Sequence, residues 1–330
     1  MEKRLLTRTG RKVSVVGLGT WQFGDGWDHV REHDVRAILE AAVESGVDFI
    51  DTADVYGDGR SERLIGRFLR EFRTSPGGPP TVATKLGRRG PQETGAFTLD
   101  NFRAWTDRSR ANLGTDVLDL VQLHTPPDAV FESDAVFDAL DVLVDEGRIK
   151  AYGVSVESCA QAMTAIARPN VASVQIILNV FRRKPLEQVL PAARAAGVGI
   201  IARVPLASGL LSGKFRKDTV FAATDHRNYN RHGEQFDVGE TFSGVDYETG
   251  LAAAGEFTGL VPSGATPAQL ALRWVTQQDG VTTVIPGATS VGQARANAAV
   301  GSMEPLSEAT LERLRELYDR RIRAQVHHLW

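Results

Sequence analysis

A single cysteine, Cys159, in 330 residues excludes an intrachain disulfide and suits a reducing compartment, so a cytoplasmic location is expected. Its expected role is that of a small packing side chain. No apolar stretch approaches the roughly 18 residues that cross a bilayer, and the first ten residues, Met-Glu-Lys-Arg-Leu-Leu-Thr-Arg-Thr-Gly, lack the apolar core of a secretory signal. Neither charge is in excess. With 38 basic and 41 acidic residues mixed along the chain, the net charge of −3 creates no broad field for nucleic acid or a membrane surface. Repeats, low-complexity tracts and Pro-rich linkers are also missing, which favours one domain over residues 1–330. The 42% of hydrophobic residues is enough for a sizeable core.

What the chain does contain is an alternation. Short apolar runs at 15–18, 49–51, 82–84, 118–123, 151–154, 174–177, 199–202 and 283–285 read as buried strands, each followed by helical periodicity. Residues 34–45 place apolar side chains at three- and four-residue spacing and stop at Gly46, the pattern of a helix with a glycine C-cap. Eight such βα units without duplication predict an α/β fold, a closed (β/α)8 TIM barrel. Before it, residues 4–14 carry a turn at Gly10 between two short runs, which predicts a β-hairpin plugging the barrel's bottom. Residues 215–241 have no regular period and read as a long loop after the seventh strand; loops of that length are usually functional.

The chemistry concentrates at strand ends. Asp51 ends one apolar run, Lys85 ends Thr81-Val-Ala-Thr-Lys85, and His124 ends Leu118-Asp-Leu-Val-Gln-Leu-His124, while Tyr56 follows Asp51 by five residues in a Gly-rich loop. In a barrel these ends lie side by side on the face that carries active sites. A tyrosine donates a proton to a reacting oxygen only if its pKa of about 10 is lowered, and a cation held by a carboxylate is the simplest device. Asp51, Tyr56, Lys85 and His124 are therefore the candidate catalytic residues.

These residues also carry a resemblance. Gly17-Leu-Gly-Thr-Trp21, Asp-Thr-Ala-Asp-Val-Tyr-Gly at 51–57, Lys85, His124, Gly153-Val-Ser155, Pro205-Leu-Ala-Ser-Gly-Leu-Leu-Ser-Gly-Lys214 and Ile285-Pro-Gly287 follow the order and spacing of an aldo-keto reductase, over about residues 5–317. The resemblance implies reduction of a small-molecule carbonyl substrate by hydride from a nicotinamide cofactor, with Tyr56 as acid, Lys85 and Asp51 tuning it, and His124 orienting the carbonyl. It also implies cofactor contacts. Gly19, Thr20, Trp21 and Asp51 would border the nicotinamide riboside, with Ser155 and Gln175 on its carboxamide. The turn of Pro205, Leu206, Ser208, Gly209, Leu211, Ser212 and Lys214 would clasp the pyrophosphate, and Gly287, Thr289, Gln293 and Asn297 would enclose the adenosine end.

The chain departs from the family pattern in three places. Val156 replaces an asparagine after Ser155, Arg203 stands where an aromatic often stacks on the nicotinamide, and Thr289 occupies a position often held by Arg or Lys to bind a 2′-phosphate. A guanidinium is planar and can stack as well. The cofactor expected is NADPH with weak preference, NADH also being accepted. The substrate pocket is expected to involve Trp21, Trp27, Asp54, Val55, Pro126 and the 215–241 loop, with Trp330 folding over its mouth.

Two weaker signals are set aside. Gly209 to Lys214 has one residue too few between its glycines for a P-loop, and the zinc-protease pattern of His29, Glu32 and His33 lacks a third ligand, so no metal is expected. A regulatory subunit resembling the potassium-channel beta subunits is the alternative function. No pattern in the chain specifies an oligomeric state.

Overall fold

The computed structural model describes residues 1–24, 30–72 and 78–330. Strands β1 (Lys3–Leu6) and β2 (Arg11–Ser14) form an antiparallel hairpin, turned through Gly10 at φ 67°. Eight parallel strands follow: β3 (Leu18–Gly19), β4 (Phe49–Asp51), β5 (Thr81–Leu86), β6 (Leu120–His124), β7 (Tyr152–Ser155), β8 (Val171–Ile177), β9 (Gly199–Arg203) and β10 (Val281–Val284). Each pairs with its neighbour in sequence. The ring closes where the Gly17 amide donates to Val284 O at 2.8 Å and the Val284 amide to Val15 O at 3.0 Å. This is the predicted (β/α)8 barrel with its hairpin. The first strand lies further along than expected, because Val15 and Val16 meet β10 only through single bonds and an isolated bridge.

Every residue of β4 to β10 is buried, which explains why these runs read as continuously apolar rather than alternating. One set of side chains meets the surrounding helices. The other fills the barrel, where Leu6 and Val13 of the hairpin join Phe49, Ala83, Leu120, Ala151, Ala172 and Ile201 in one buried cluster. The hairpin thus seals the barrel's bottom by adding apolar side chains to its interior layer, each worth about 1.5–3 kcal/mol when fully buried. Arg8 fastens it by donating to the carbonyls of Arg168, Val171 and Ala196.

The first barrel helix, Glu32–Glu44, shows how the outer layer is specified. Val35, Ile38, Leu39, Ala41 and Ala42 form its buried stripe, Glu32 and Asp34 sit in the first turn where the helix dipole favours acids, and Gly46 at φ 90° turns the chain toward β4. With the bottom sealed, the open end left for a site is the one to which the strands' carboxyl ends point. No described helix is long and apolar enough to cross a membrane.

Candidate active site

Strand register brings the candidate residues together. Asp51 ends β4, Lys85 lies on β5 opposite Gln122 of β6, His124 ends β6 opposite Ser155 of β7, and Ser155 lies opposite Gln175 of β8. The Lys85 ammonium has three hydrogens and three acceptors: Asp51 Oδ1, Thr52 O at 2.9 Å and Tyr56 Oη at 3.3 Å. Asp51 Oδ2 in turn accepts from Gln122 Nε2 at 3.1 Å and Gln175 Nε2 at 2.8 Å. A buried ion pair is tolerable when its remaining valences are filled in this way.

Tyr56 reaches the centre because Gly57, Asp58 and Gly59 all adopt positive φ, bending the loop back before the helix Arg60–Phe72. Glycine suits position 59 because its φ of 81° is a conformation that other side chains rarely adopt. Asp58 accepts the conformation while pairing with Arg89 and Arg108. The Tyr56 ring stands edge-on to His124, centroids 5.9 Å apart at 82°. Its hydroxyl accepts from Lys85, so its own proton is left for another acceptor.

Electrostatics differ from the sequence expectation in one respect. Burial pushes the Tyr56 phenol above its ordinary value, and the Lys85 cation pulls it back only in part. For Lys85, burial disfavours the charge, but Asp51 and Tyr56 outweigh it and hold the ammonium. Burial also drives His124 well below the usual imidazole range, helped by Arg88, Lys85 and Arg203. The constellation at neutral pH is therefore a protonated phenol, a charged lysine and a neutral imidazole whose Nδ1 is buried without a hydrogen-bond partner among the described residues.

Asp54 is wholly buried beneath this loop rather than in the cavity wall, and neither carboxylate oxygen has a partner among the described residues. Burial, reinforced by the Glu62 carboxylate, pushes its carboxyl up to about 7 from 3.8. The folded state then keeps a proton that the unfolded chain loses. The associated stability, on the order of a few kcal/mol, is fully present below about pH 4 and lost as the pH rises through about 7. Asp54→Asn is expected to flatten that pH dependence and raise Tm at pH 8, measured by thermal melts across the range.

Above Asp51 a cavity of about 540 Å³ opens at the carboxyl ends of the strands. Tyr56, His124, Gly19, Thr20 and Trp21 line it, as do Ser155, Gln175 and Arg203. Pro205, Leu206, Ser208, Gly209, Ser212 and Lys214 form a second wall, and Gly287, Thr289, Gln293 and Asn297 a third. Lys85 lies just beneath, and Leu211 packs wholly buried in the core instead. Several side chains are already engaged. Gln175 is held by Asp51 and Gln122, Thr20 Oγ1 donates to Asp51 O at 2.8 Å, and Ser212 Oγ donates to Gly209 O at 2.6 Å. Ser208 Oγ donates to Glu240 O at 2.9 Å and accepts from the Phe242 amide at 3.0 Å, tying the second wall to the long loop. Gln293 Oε1 accepts from the Thr289 amide and hydroxyl, and Asn297 Nδ2 donates to Gly287 O at 3.2 Å.

Sequence reasoning missed other members of the site. Gln122 offers only its position two residues before His124 as a signal, and Glu157 its position two after Ser155. Glu240, inside the loop flagged as functional, lines the cavity and bonds Arg203 at 2.5 Å, while Glu157 holds the same guanidinium at 2.8 Å. His226 also lines the cavity, beside Trp21 with ring centroids 4.9 Å apart. Val55 and Pro126 are not among the lining residues. Trp27 and His29 lie outside the described residues. Among the described residues no group of three or more His, Cys, Asp or Glu is arranged to hold a metal ion.

Comparison with known proteins gives four likenesses. The family model described as "Aldo/keto reductase family" matches residues 15–319. The chain is 30% identical over 311 residues to the aldo-keto reductase YhdN of Bacillus subtilis (strain 168), covering 94% of this chain and 89% of that one. It is 30% identical over 325 residues to a probable voltage-gated potassium channel subunit beta of Arabidopsis thaliana, covering 93% of each. Among solved structures, an aldo/keto reductase from Klebsiella pneumoniae in complex with NADP and acetate aligns with a TM-score of 0.70 at 25% identity, covering 96% of each chain.

Proposed function

Because this chain belongs to the aldo/keto reductase family, we propose that it is a cytoplasmic NAD(P)H-dependent oxidoreductase, a single barrel domain over residues 1–330, that reduces aldehydes or ketones with NADPH preferred. The observation that carries this reading is the Lys85 ammonium shared between Asp51, Thr52 and the Tyr56 hydroxyl at the floor of the cavity. The cavity suits a nicotinamide cofactor: on its lining residues, the buried atoms His124 Nδ1 and Arg203 Nε have no hydrogen-bond partner among the described residues. Gly19, Thr20, Trp21 and Asp51 would hold the nicotinamide riboside. Ser155 and Arg203 would meet its ring, where Gln175 is less available because Asp51 and Gln122 hold it. The backbone of Pro205 to Lys214, with the Lys214 cation, would take the pyrophosphate, and Gly287, Thr289, Gln293 and Asn297 the adenosine end.

When bound, the nicotinamide supplies the hydride that reaches the carbonyl carbon. Tyr56 gives its proton to the carbonyl oxygen as negative charge grows there, a role worth about 10²–10⁴-fold in rate. Lys85 stabilises the phenolate left behind. His124, held neutral by burial and three neighbouring cations, donates an N–H to the same oxygen and sets its orientation. In the reverse direction Tyr56 takes the proton back.

Loss of NADPH absorbance with 4-nitrobenzaldehyde tests the reading, and absence of turnover across a panel of aldehydes and ketones would overturn it. That result would favour the second reading, a cofactor-holding regulatory subunit, which rests on the likeness to the Arabidopsis channel subunit.

Cofactor choice is expected to depend on Thr289. Its amide and hydroxyl are engaged by Gln293, Ser290 caps the helix Val291–Ala299, and Arg295, exposed beside Glu44, is the one cation between Gly287 and Asn297. Thr289→Arg is expected to tighten NADPH binding by about ten- to a hundredfold through a charge-assisted contact. NADH affinity should barely change. Calorimetric titration of both cofactors checks this, and equal changes would show that position 289 does not face the 2′ oxygen.

A further inference from the structure

Arg203 is a buried cation on the cavity wall whose bonds to the chain are made by Nη1 and Nη2. Nη1 donates to Glu240 Oε1 at 2.5 Å, and Nη2 donates to Glu157 Oε2 at 2.8 Å and Val156 O at 3.0 Å, leaving Nε without a partner among the described residues. The guanidinium is thus clamped at its far edge by two carboxylates from different parts of the chain. What fixes those carboxylates lies further out.

Trp330 touches a neighbour of each carboxylate. Its indole lies against the Arg182 guanidinium, 3.7 Å from ring centroid to Cζ, and Arg182 Nη2 donates to Glu157 O at 2.5 Å. The indole Nε1–H donates to Asp237 at 3.1 and 3.3 Å, at the start of the turn Val238–Glu240 that carries Glu240. The same ring packs against the backbone on either side of Glu240: a Cβ on Gly239 would meet it at 2.8 Å, and one on Gly244 would strike it as well. Trp330 itself is buried and does not line the cavity, so it is not the flap over the mouth that its place in the sequence suggested.

We propose that Trp330 is a positioning residue for the nicotinamide end of the cofactor cleft, holding Arg203 by two separate paths, one through Arg182 and Glu157 and the other through Asp237 and Glu240. This rests on the cofactor reading above. Without the indole, Arg182 loses the surface it lies on and Asp237 keeps only the Gly239 amide of its two donors, so both carboxylates gain freedom and Arg203 no longer presents one fixed orientation. A planar cation that orients a ring is useful only while it is held still. The adenosine wall of residues 287–297 receives no bond from Trp330 among the described residues, and the pyrophosphate wall of residues 205–214 is hydrogen-bonded to the turn that Trp330 holds only through Ser208.

The test exploits that separation. NADPH and 2′-phospho-ADP-ribose, which lacks the nicotinamide, are titrated calorimetrically into the full chain and its variants. Trp330→Ala is expected to weaken NADPH about tenfold and 2′-phospho-ADP-ribose much less. Arg203→Met should weaken NADPH similarly, and adding Trp330→Ala to it should cost little more, because both changes remove one unit. Unchanged NADPH affinity, equal weakening of both ligands, or losses that multiply in the double variant would each overturn the proposal. Should Trp330→Ala fail to fold, Trp330→Phe keeps a ring on Arg182 and deletes only the bond to Asp237. It should give an intermediate loss, again much larger for NADPH, and wild-type affinity there would overturn the two-path claim. If neither ligand binds the unaltered protein, the cofactor reading itself falls.

Discussion

Replacing Tyr56 by Phe is expected to lower kcat for aldehyde reduction by at least about 10²-fold while leaving NADPH affinity and thermal stability nearly unchanged. The substitution removes one oxygen. The ring keeps its edge contact with His124, and the ammonium of Lys85 keeps Asp51 and Thr52 as acceptors. Among the groups at the cavity floor, only this phenol combines an available proton with a cation able to stabilise the anion left behind. His124 cannot substitute, because burial keeps its imidazole neutral and the acid it would need to be is the imidazolium. Steady-state kinetics beside a calorimetric titration separate the two effects, and a Phe variant that retains most of its turnover would refute Tyr56 as the acid.

Lys85→Met should be the more destructive change, because it damages both chemistry and folding. The Lys85 cation is the main influence opposing the upward push of burial on the Tyr56 phenol, so its loss leaves a weaker acid with no stabilised conjugate base. Asp51 is meanwhile left as a buried carboxylate with only Gln122 and Gln175 as donors from its former network. Breaking a buried pair by removing one partner costs about 3–5 kcal/mol. Lys85→Met combined with Asp51→Asn is therefore expected to recover most of the lost stability in urea melts and none of the lost turnover. In the Tyr56→Phe background Lys85→Met should add little further loss of rate, since groups acting as one unit lose most of their effect with the first deletion. Losses that simply multiplied would show that the two residues act separately.

The legibility of the site followed the kind of constraint acting on each residue. Asp51, Lys85 and His124 were readable because a strand end is a local event: an apolar run stops at a polar residue, and eight such stops in a closed ring must face the same way. Tyr56 was readable because Gly57 and Gly59 announce a loop. The partners of Asp51 were harder to find, since Gln122 and Gln175 sit inside apolar strands 53 residues apart and meet only when the barrel closes. The direction of the Tyr56 shift was misjudged for a related reason. A sequence shows which charges are near, but desolvation depends on everything packed around the hydroxyl.

The sequence by itself determined the alternation of eight strands and helices, the hairpin, the strand-end residues and the lone thiol, because periodicity, turn residues and composition act over a few neighbours. Only the tertiary structure decided that Ser208 belongs to Glu240 and Phe242, that the buried Asp54 carboxyl has no hydrogen-bond partner among the described residues, and that Trp330 reaches Arg182 and Asp237. Those outcomes depend on contacts between segments some 30 to 150 residues apart. Burial and hydrogen-bond competition are settled by the surrounding three-dimensional environment, and no local pattern along the chain records them.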